Sequence, residues 1–346
     1  MKEEGDVVAT RKNPRYGPSS VYGRHRARLA VAVTAAGVAG IGLLFGALDM
    51  SGSFASTGGA QKAPQTNCAA VPSKCGFPDG TNSGVPKGTA LKSVPGQVSR
   101  GTGWHFDSRG WVEVDGNGAV LSGLSMPYNV KVTASNVTLT HDQIVTGGTY
   151  GVSLADTTGV TITNSTISGL NATTGRLDYA ISDPEGTSTG MVIKSNNISD
   201  FRCGVSVTTG LIANNYIHDP GYISGDHTNG IIGDGGTQQM TMTHNTIFNS
   251  LTQTDAITIN TSTVPGPVTN KVIENNLLAG AGYPIYGGAG FGHTTLGILI
   301  ENNRFGQQYY PKSGEFGPVL NFVASGAGNV WSGNVWDSTG ATVPAP

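Results

Sequence analysis

The sequence predicts an all-β chain folded as a right-handed parallel β-helix, a solenoid, with an N-terminal transmembrane or signal helix ahead of it. Three observations predict this: β-rich runs that recur at a nearly fixed period, an Asn or its substitute at the same place in each run, and a composition rich in Gly and poor in charge. The chain has 346 residues, 52 of them Gly, and only 12% are charged, against about 25% in ordinary globular domains.

The repeat decides the fold. Runs rich in Val, Ile and Thr span 137–144, 160–167, 191–198, 211–217, 240–247, 271–278, 298–305 and 329–336. Two residues before the last apolar position of each stand Asp142, Ser165, Asn196, Asn215, Asn245, Asn276, Asn303 and Asn334, recurring about every 27 residues. A second set of short strands lies between them, at 151–154, 179–182, 204–207, 230–232, 256–259, 284–286 and 319–322, bounded by Gly, Asn and Asp. Stacked coils sit about 4.8 Å apart. Stacked like charges at that spacing repel, whereas Asn amides donate and accept along the column. A propeller needs about four strands per repeat, and the Gly and Thr content excludes a helical solenoid.

Ahead of the repeats, residues 1–28 carry Lys2, Arg11, Lys12, Arg15, Arg24, Arg26 and Arg28, and form a basic tail. Residues 29–48 carry no charge. At 1.5 Å per residue this segment reaches across a bilayer core of about 30 Å. The basic flank predicts that the N-terminus stays inside and that the chain beyond Asp49 is exported. Small residues at 53–56 leave a membrane anchor and a cleaved signal segment both open. The expected order is then a flexible linker over 49–74, the β-helix over 75–340 and a short tail over 341–346. Cys68 and Cys75 are expected to form a disulfide, which suits export, and Cys203 reads as a buried free thiol. The formal charge of −2 leaves no basic footprint for nucleic acid. If the N-terminal segment is retained, the membrane is an expected partner, and the chain is expected to be a monomer.

Residues 75–91, CGFPDGTNSGVPKGTAL, resemble the opening of a group of secreted actinobacterial β-helix proteins of the pectate-lyase-like superfamily. In that group an Ile-His-Asp turn precedes a strand start of the form HxDGIQ. Here Ile217, His218 and Asp219 precede His227, Thr228, Asn229, Gly230, Ile231 and Ile232. The match departs from the pattern at Asn229, which replaces its Asp, and at Ile232, which replaces its Gln. The resemblance implies carbohydrate-related work outside the membrane, with a polysaccharide as partner, on a cleft that runs along one sheet.

With Val152, Ile181, Val205, Ile231 and Ile257 taken as inward, Thr149, Asp178, Arg202, Thr228 and Thr254 are expected to face outward. Asp178 and Arg202 then become neighbours on adjacent coils, with His227 and Asp255 beside them as the candidate catalytic group. A glycoside hydrolase needs two carboxyls, one held protonated, and Asp178 with Asp226 or Asp255 offers such a pair. A polysaccharide lyase needs a base and a cation, roles open to Arg202 and His227. In that case Asp178 and Asp255 hold a metal, calcium being the candidate cofactor, or orient the base, although the stacked carboxylates of a calcium site are missing from the sequence. Asp226, Asn229, Tyr179, Tyr222 and Tyr283 are the candidate substrate-binding residues, with Tyr150 and Tyr286 near the same strand starts. Asp183, Glu185 and Asp234 follow strand ends, and His218 with Asp219 reads as a turn. A non-catalytic glycan-binding or structural β-helix is the alternative reading, favoured by the low charge and by Asn229.

Overall fold

The computed structural model describes residues 67–233, 235–259 and 266–346. The charged tail, the apolar segment 29–48 and Asp234 lie outside the described residues. Among the described residues no helix is long and apolar enough to cross a membrane.

The chain winds as a parallel β-solenoid with three sheets of 10, 11 and 9 strands. One coil illustrates the order: Thr161–Thr163 lies in the third sheet, Thr166–Ser168 in the first and Leu177–Ser182 in the second. Each run recognised in the sequence is therefore two strands, one from the third sheet and one from the first, with a bend between them. At that bend His141, Asn164, Ser195, Asn214, His244, Asn275, Asn302 and Gly333 all have φ between 49° and 64°. This left-handed geometry is most accessible to Gly and Asn. The core is three stacks of apolar side chains. Ile162, Ile193, Ile212, Met242, Ile273 and Ile300 come from the third sheet, Ile167, Ile198, Ile217, Ile247, Leu278 and Phe305 from the first, and Val152, Ile181, Val205, Ile231, Ile257 and Ile285 from the second, each at most 1% exposed. Burying one such side chain contributes about 1.5–3 kcal/mol.

The residue after each bend forms the ladder. Asn245 accepts at Oδ1 from the Asn215 backbone N–H (2.9 Å) and from Asn215 Nδ2 (2.9 Å). Its own Nδ2 donates to the Ile212 carbonyl (2.9 Å) and to Asn276 Oδ1 (3.0 Å). The same bonds link Asn196 to Asn215, Asn276 to Asn303 and Asn303 to Asn334. At the N-terminal end Ser165 and then Asp142 take the position, and Asp142 Oδ1 accepts the Leu124 N–H at 2.8 Å. Asp142 cannot donate as an amide would. Its Oδ2 is buried without a partner, and burial pushes its pKa up to about 7.

Both ends of the stack are closed. Arg100–Gly101, Trp104–Asp107 and Trp111–Val114 pair antiparallel over the first coil. At the other end the expected tail is part of the fold: Val343 is fully buried and donates its N–H to the Asn334 carbonyl (2.8 Å), while its own carbonyl accepts Trp331 Nε1 (2.9 Å). The expected linker likewise ends earlier than the sequence suggested. Cys68 and Cys75 are bridged with Cα atoms 5.6 Å apart, Pro72–Cys75 is a 3-10 turn, and the Ala69 N–H donates to buried Asp337 at 2.8 Å. From there the chain runs back along the first sheet. Phe77 stacks on His244 at 5.2 Å, and the Gly84 N–H reaches the Ser195 carbonyl before Lys92–Ser93 joins the first sheet. These residues strap the coils because Cys68, Ala69 and Phe77 bury against Phe248, Leu277 and Ala279.

Two outcomes are expected. Asn245→Leu removes the acceptor of the Asn215 backbone and side-chain N–H groups and the side-chain donor to the Ile212 carbonyl, at a cost of about 1–3 kcal/mol for each buried group left unsatisfied, and a denaturant melt should read the loss. Asp142→Asn supplies the missing donor. Because the folded-state pKa of Asp142 lies above its unfolded value, the stability its protonated form gives is full below about pH 4 and is lost as the pH rises through about 7. The variant should melt higher than the parent at pH 8, with a difference that shrinks towards pH 4.

Candidate functional site

The candidate residues gather on the outer side of the second sheet. Along it, Tyr150, Tyr179, Cys203, Asn229, Asp255 and Tyr283 stand in one register. The two residues that follow in the central coils both face the core. A Cβ on Gly204 or Gly230 would meet Ile217 or Ile247, and Val205 and Ile231 are fully buried. This double inward step breaks the simple alternation of the pleat. The outward column is therefore Tyr179, Cys203, Asn229 and Asp255, one place later than the alternation rule gave. Thr228, expected outward, is fully buried, and its carbonyl accepts the Thr254 hydroxyl.

Asp178 and Arg202 do meet, with Nε 3.9 Å from Oδ1, but they belong to a larger cluster. Arg176, in the loop before the strand, holds Asp178 through Nη1 and clasps Asp226 with two bonds of 2.9 and 2.8 Å. The side chains of Arg176 and Asp226 are only 7% and 12% exposed. Asp226 Oδ2 also accepts the Ile223 N–H, and the Tyr222 N–H donates to the Ala172 carbonyl. The cluster thus fastens the loop 218–228 to the loop 169–176. Arg202 lies over the Tyr179 ring at 4.6 Å, and Tyr150 stacks on that ring from the preceding coil at 5.8 Å. Both faces of Tyr179 are therefore occupied from within the chain.

Beside this cluster runs a buried polar column. Cys203 Sγ donates to Asn229 Oδ1 at 3.6 Å, and Asn229 Nδ2 donates to Asp255 Oδ2 at 2.8 Å. Burial pushes the Cys203 thiol up to about 12, so it stays protonated. Burial also holds the Asp255 carboxyl well above the usual carboxylate range, against the opposing bond from Asn229. Asp255 is 1% exposed, and its Oδ1 has no hydrogen-bond partner.

His227 is exposed. It lines an open groove of about 310 Å³ with Thr254, Tyr286, Gly288, Gly290, Leu320 and Asn321. Tyr283 packs its ring against Tyr286 and Phe316, each at 5.8 Å, and Tyr222 is exposed on its loop. A second groove of about 370 Å³ lies at the other end of the same face, lined by Arg109, Trp111, Glu113, Lys131, Tyr150 and Ser153. Asp183 closes its own turn onto Ser188 instead of entering the face. His218 bonds Asp219 and Asn197, as a turn residue does.

The candidate calcium ligands do not suit a cation. Asp178 is engaged by two guanidinium groups, and Asp255 is sealed from solvent, where burial disfavours its charged form. Among the described residues no group of three or more His, Cys, Asp or Glu side chains is placed to hold a metal ion. The pair Asp178 and Asp226 is equally unsuited to the two-carboxylate roles, because Arg176 bridges them. Arg176 was missed in the sequence because its partner Asp226 lies 50 residues away. The available signal was local, an Arg two residues before Asp178 at the end of a Gly-bounded loop. No protein-family model matches the chain, and no curated protein matches it.

Removing the Arg176 guanidinium leaves Asp226 buried without its partner. Arg176→Ala should destabilise the protein by about 3 kcal/mol and open the loop 218–228 to limited proteolysis. If the cluster contributes only as exposed ion pairs do, the variant will melt within about 1 kcal/mol of the parent.

Proposed function

We propose that this chain is an extracytoplasmic, carbohydrate-active β-helix protein that binds a polysaccharide along the outer face of its second sheet, without cleaving it. The observation that carries this reading is the use already made of the acid–base candidates. Arg176 bridges Asp178 and Asp226, Arg202 sits on Tyr179, and Asp255 is sealed. What remains open to solvent is the groove beside His227, where Tyr286 and the backbone at Gly288 and Gly290 offer an aromatic face and polar atoms. Such a surface suits a sugar ring, which presents an apolar face and a rim of hydroxyls. The apolar, basic-flanked segment 29–48 supports export, and the resemblance of residues 75–91 to secreted β-helix proteins supports a carbohydrate ligand.

One observation favours a second reading, that of a glycoside hydrolase. Burial holds the Asp255 carboxyl well above the usual carboxylate range, and its Oδ1 has no partner, which are properties of a general acid. A lyase has less support, because among the described residues Arg176, Arg202, Arg109 and Lys131 on this face are each held in an ion pair.

The test uses the full chain purified in detergent and a panel of polysaccharides, with binding and new reducing ends both recorded. Tyr286→Ala and His227→Ala should each weaken binding about tenfold or more and leave melting nearly unchanged. Asp255→Asn should leave binding intact. If reducing ends form with the parent and vanish in Asp255→Asn, the hydrolase reading replaces the binding one. If no polysaccharide is bound or cut, both fall.

A further inference from the structure

The groove beside Trp111 lies outside the residues that sequence reasoning assigned to a site. In the two strands that line it, Trp111 and Glu113 alternate with buried Val112 and Val114, and Lys131 with buried Val130 and Val132. The indole, Glu113 and Lys131 therefore project from the outer side of the second sheet. Tyr150 stacks on Tyr179 on the side towards the next coil and lines this groove with its remaining surface. From the Tyr150 strand to the Asp255 strand there are four steps of register, through Tyr179, Cys203 and Asn229. At about 4.8 Å per step this is roughly 19 Å. The two grooves thus sit on one face, a polymer's length apart.

Charge on this face is cancelled within the protein. Arg109 bonds Asp107 twice (2.9 and 2.8 Å) and Glu113 at 3.2 Å, and Lys131 lies 3.8 Å from Glu113. Arg176 and Arg202 are matched by Asp178 and Asp226. Each cluster sums to zero, and Glu185, whose charge is felt at Tyr150, adds an anion. A polyuronate carries a carboxylate on every ring and needs unspent cations to offset its desolvation. Among the described residues of this face only Arg100, exposed and in register with His105 and Glu113, has no ion pair, one cation against a carboxylate on every ring, whereas a neutral chain of hexoses or pentoses needs none and gains the apolar faces of Trp111, Tyr150 and Tyr286.

We infer that the Trp111 groove is a second subsite for the same ligand, and that the ligand is a neutral polysaccharide held at both ends of the face. The inference rests on the binding reading given above. Two linked subsites make affinity depend on chain length, because engagement of the second becomes intramolecular.

The experiment measures binding of neutral gluco-, manno- and xylo-oligosaccharides, as disaccharides and as octasaccharides, beside an octagalacturonide, to the full chain in detergent. At least one neutral octasaccharide should bind about a hundredfold tighter than its disaccharide, with little dependence on salt. Trp111→Ala should bring the octasaccharide down to the disaccharide's affinity, and Trp111→Phe, which keeps an aromatic face, should retain most of it. Preferential, salt-sensitive binding of the octagalacturonide overturns the neutral-ligand assignment while leaving the binding reading intact. A neutral octasaccharide that Trp111→Ala holds normally and Tyr286→Ala does not removes the second subsite alone. Absence of binding to every probe overturns the binding reading, and this inference with it.

Discussion

Everything in this molecule follows from stacking one coil on the next at a single spacing, so that each side chain meets its own counterpart above and below. The Asn ladder is the strictest expression of that rule. Asn215, Asn245, Asn276 and Asn303 each have four partners, two on neighbouring amides and two on backbone, and all are buried. A buried group that both donates and accepts can repeat indefinitely along such a column, whereas an ion cannot. Where the column departs from Asn, at Ser165 and Asp142, it is approaching its end, and the acid there is held uncharged up to about neutral pH.

The same rule shapes the second sheet's outer face, with a different result. Its column reads Tyr150, Tyr179, Cys203, Asn229, Asp255 and Tyr283, with Arg202 beside Cys203 and over the Tyr179 ring, and every neighbour finds a complementary group. Ring stacks on ring, guanidinium lies on ring, thiol donates to amide and amide donates to acid. Complementarity between coils stabilises the stack and leaves these groups little freedom to act on a ligand. The arginines are spent on carboxylates, and the central acid is sealed. The aromatic side chains with open surface lie at the two ends of the face, where Trp111 and Tyr286 line grooves.

Of the fold, the coil period, the ladder positions and the strands of the second sheet were legible in the sequence, because a solenoid repeats its constraints and a repeated constraint leaves a periodic trace, whereas the division of each β-rich run between the third and first sheets was not. Of the site, the neighbourhood of Asp178 with Arg202 was legible for the same reason. The strap 67–91 and the closing residues 337–343 were not. They occur once, and their partners, His244 for Phe77, Asp337 for Ala69 and Trp331 for Val343, are distant in sequence.

By itself the sequence determined what depends on local chemistry and on period: β-rich runs with Asn at the turns, a charge-poor exterior, and a segment of bilayer length behind a basic flank. Only the tertiary structure decided which outward groups remain available. That depended on the double inward step at Gly204 and Val205, which moves the outward column one residue along, and on Arg176, which reaches 50 residues ahead to Asp226. The physical reason is that a backbone twist between two inward residues, and an ion pair closed between two loops, are properties of how coils are set on one another, and neither leaves a period for the sequence to show.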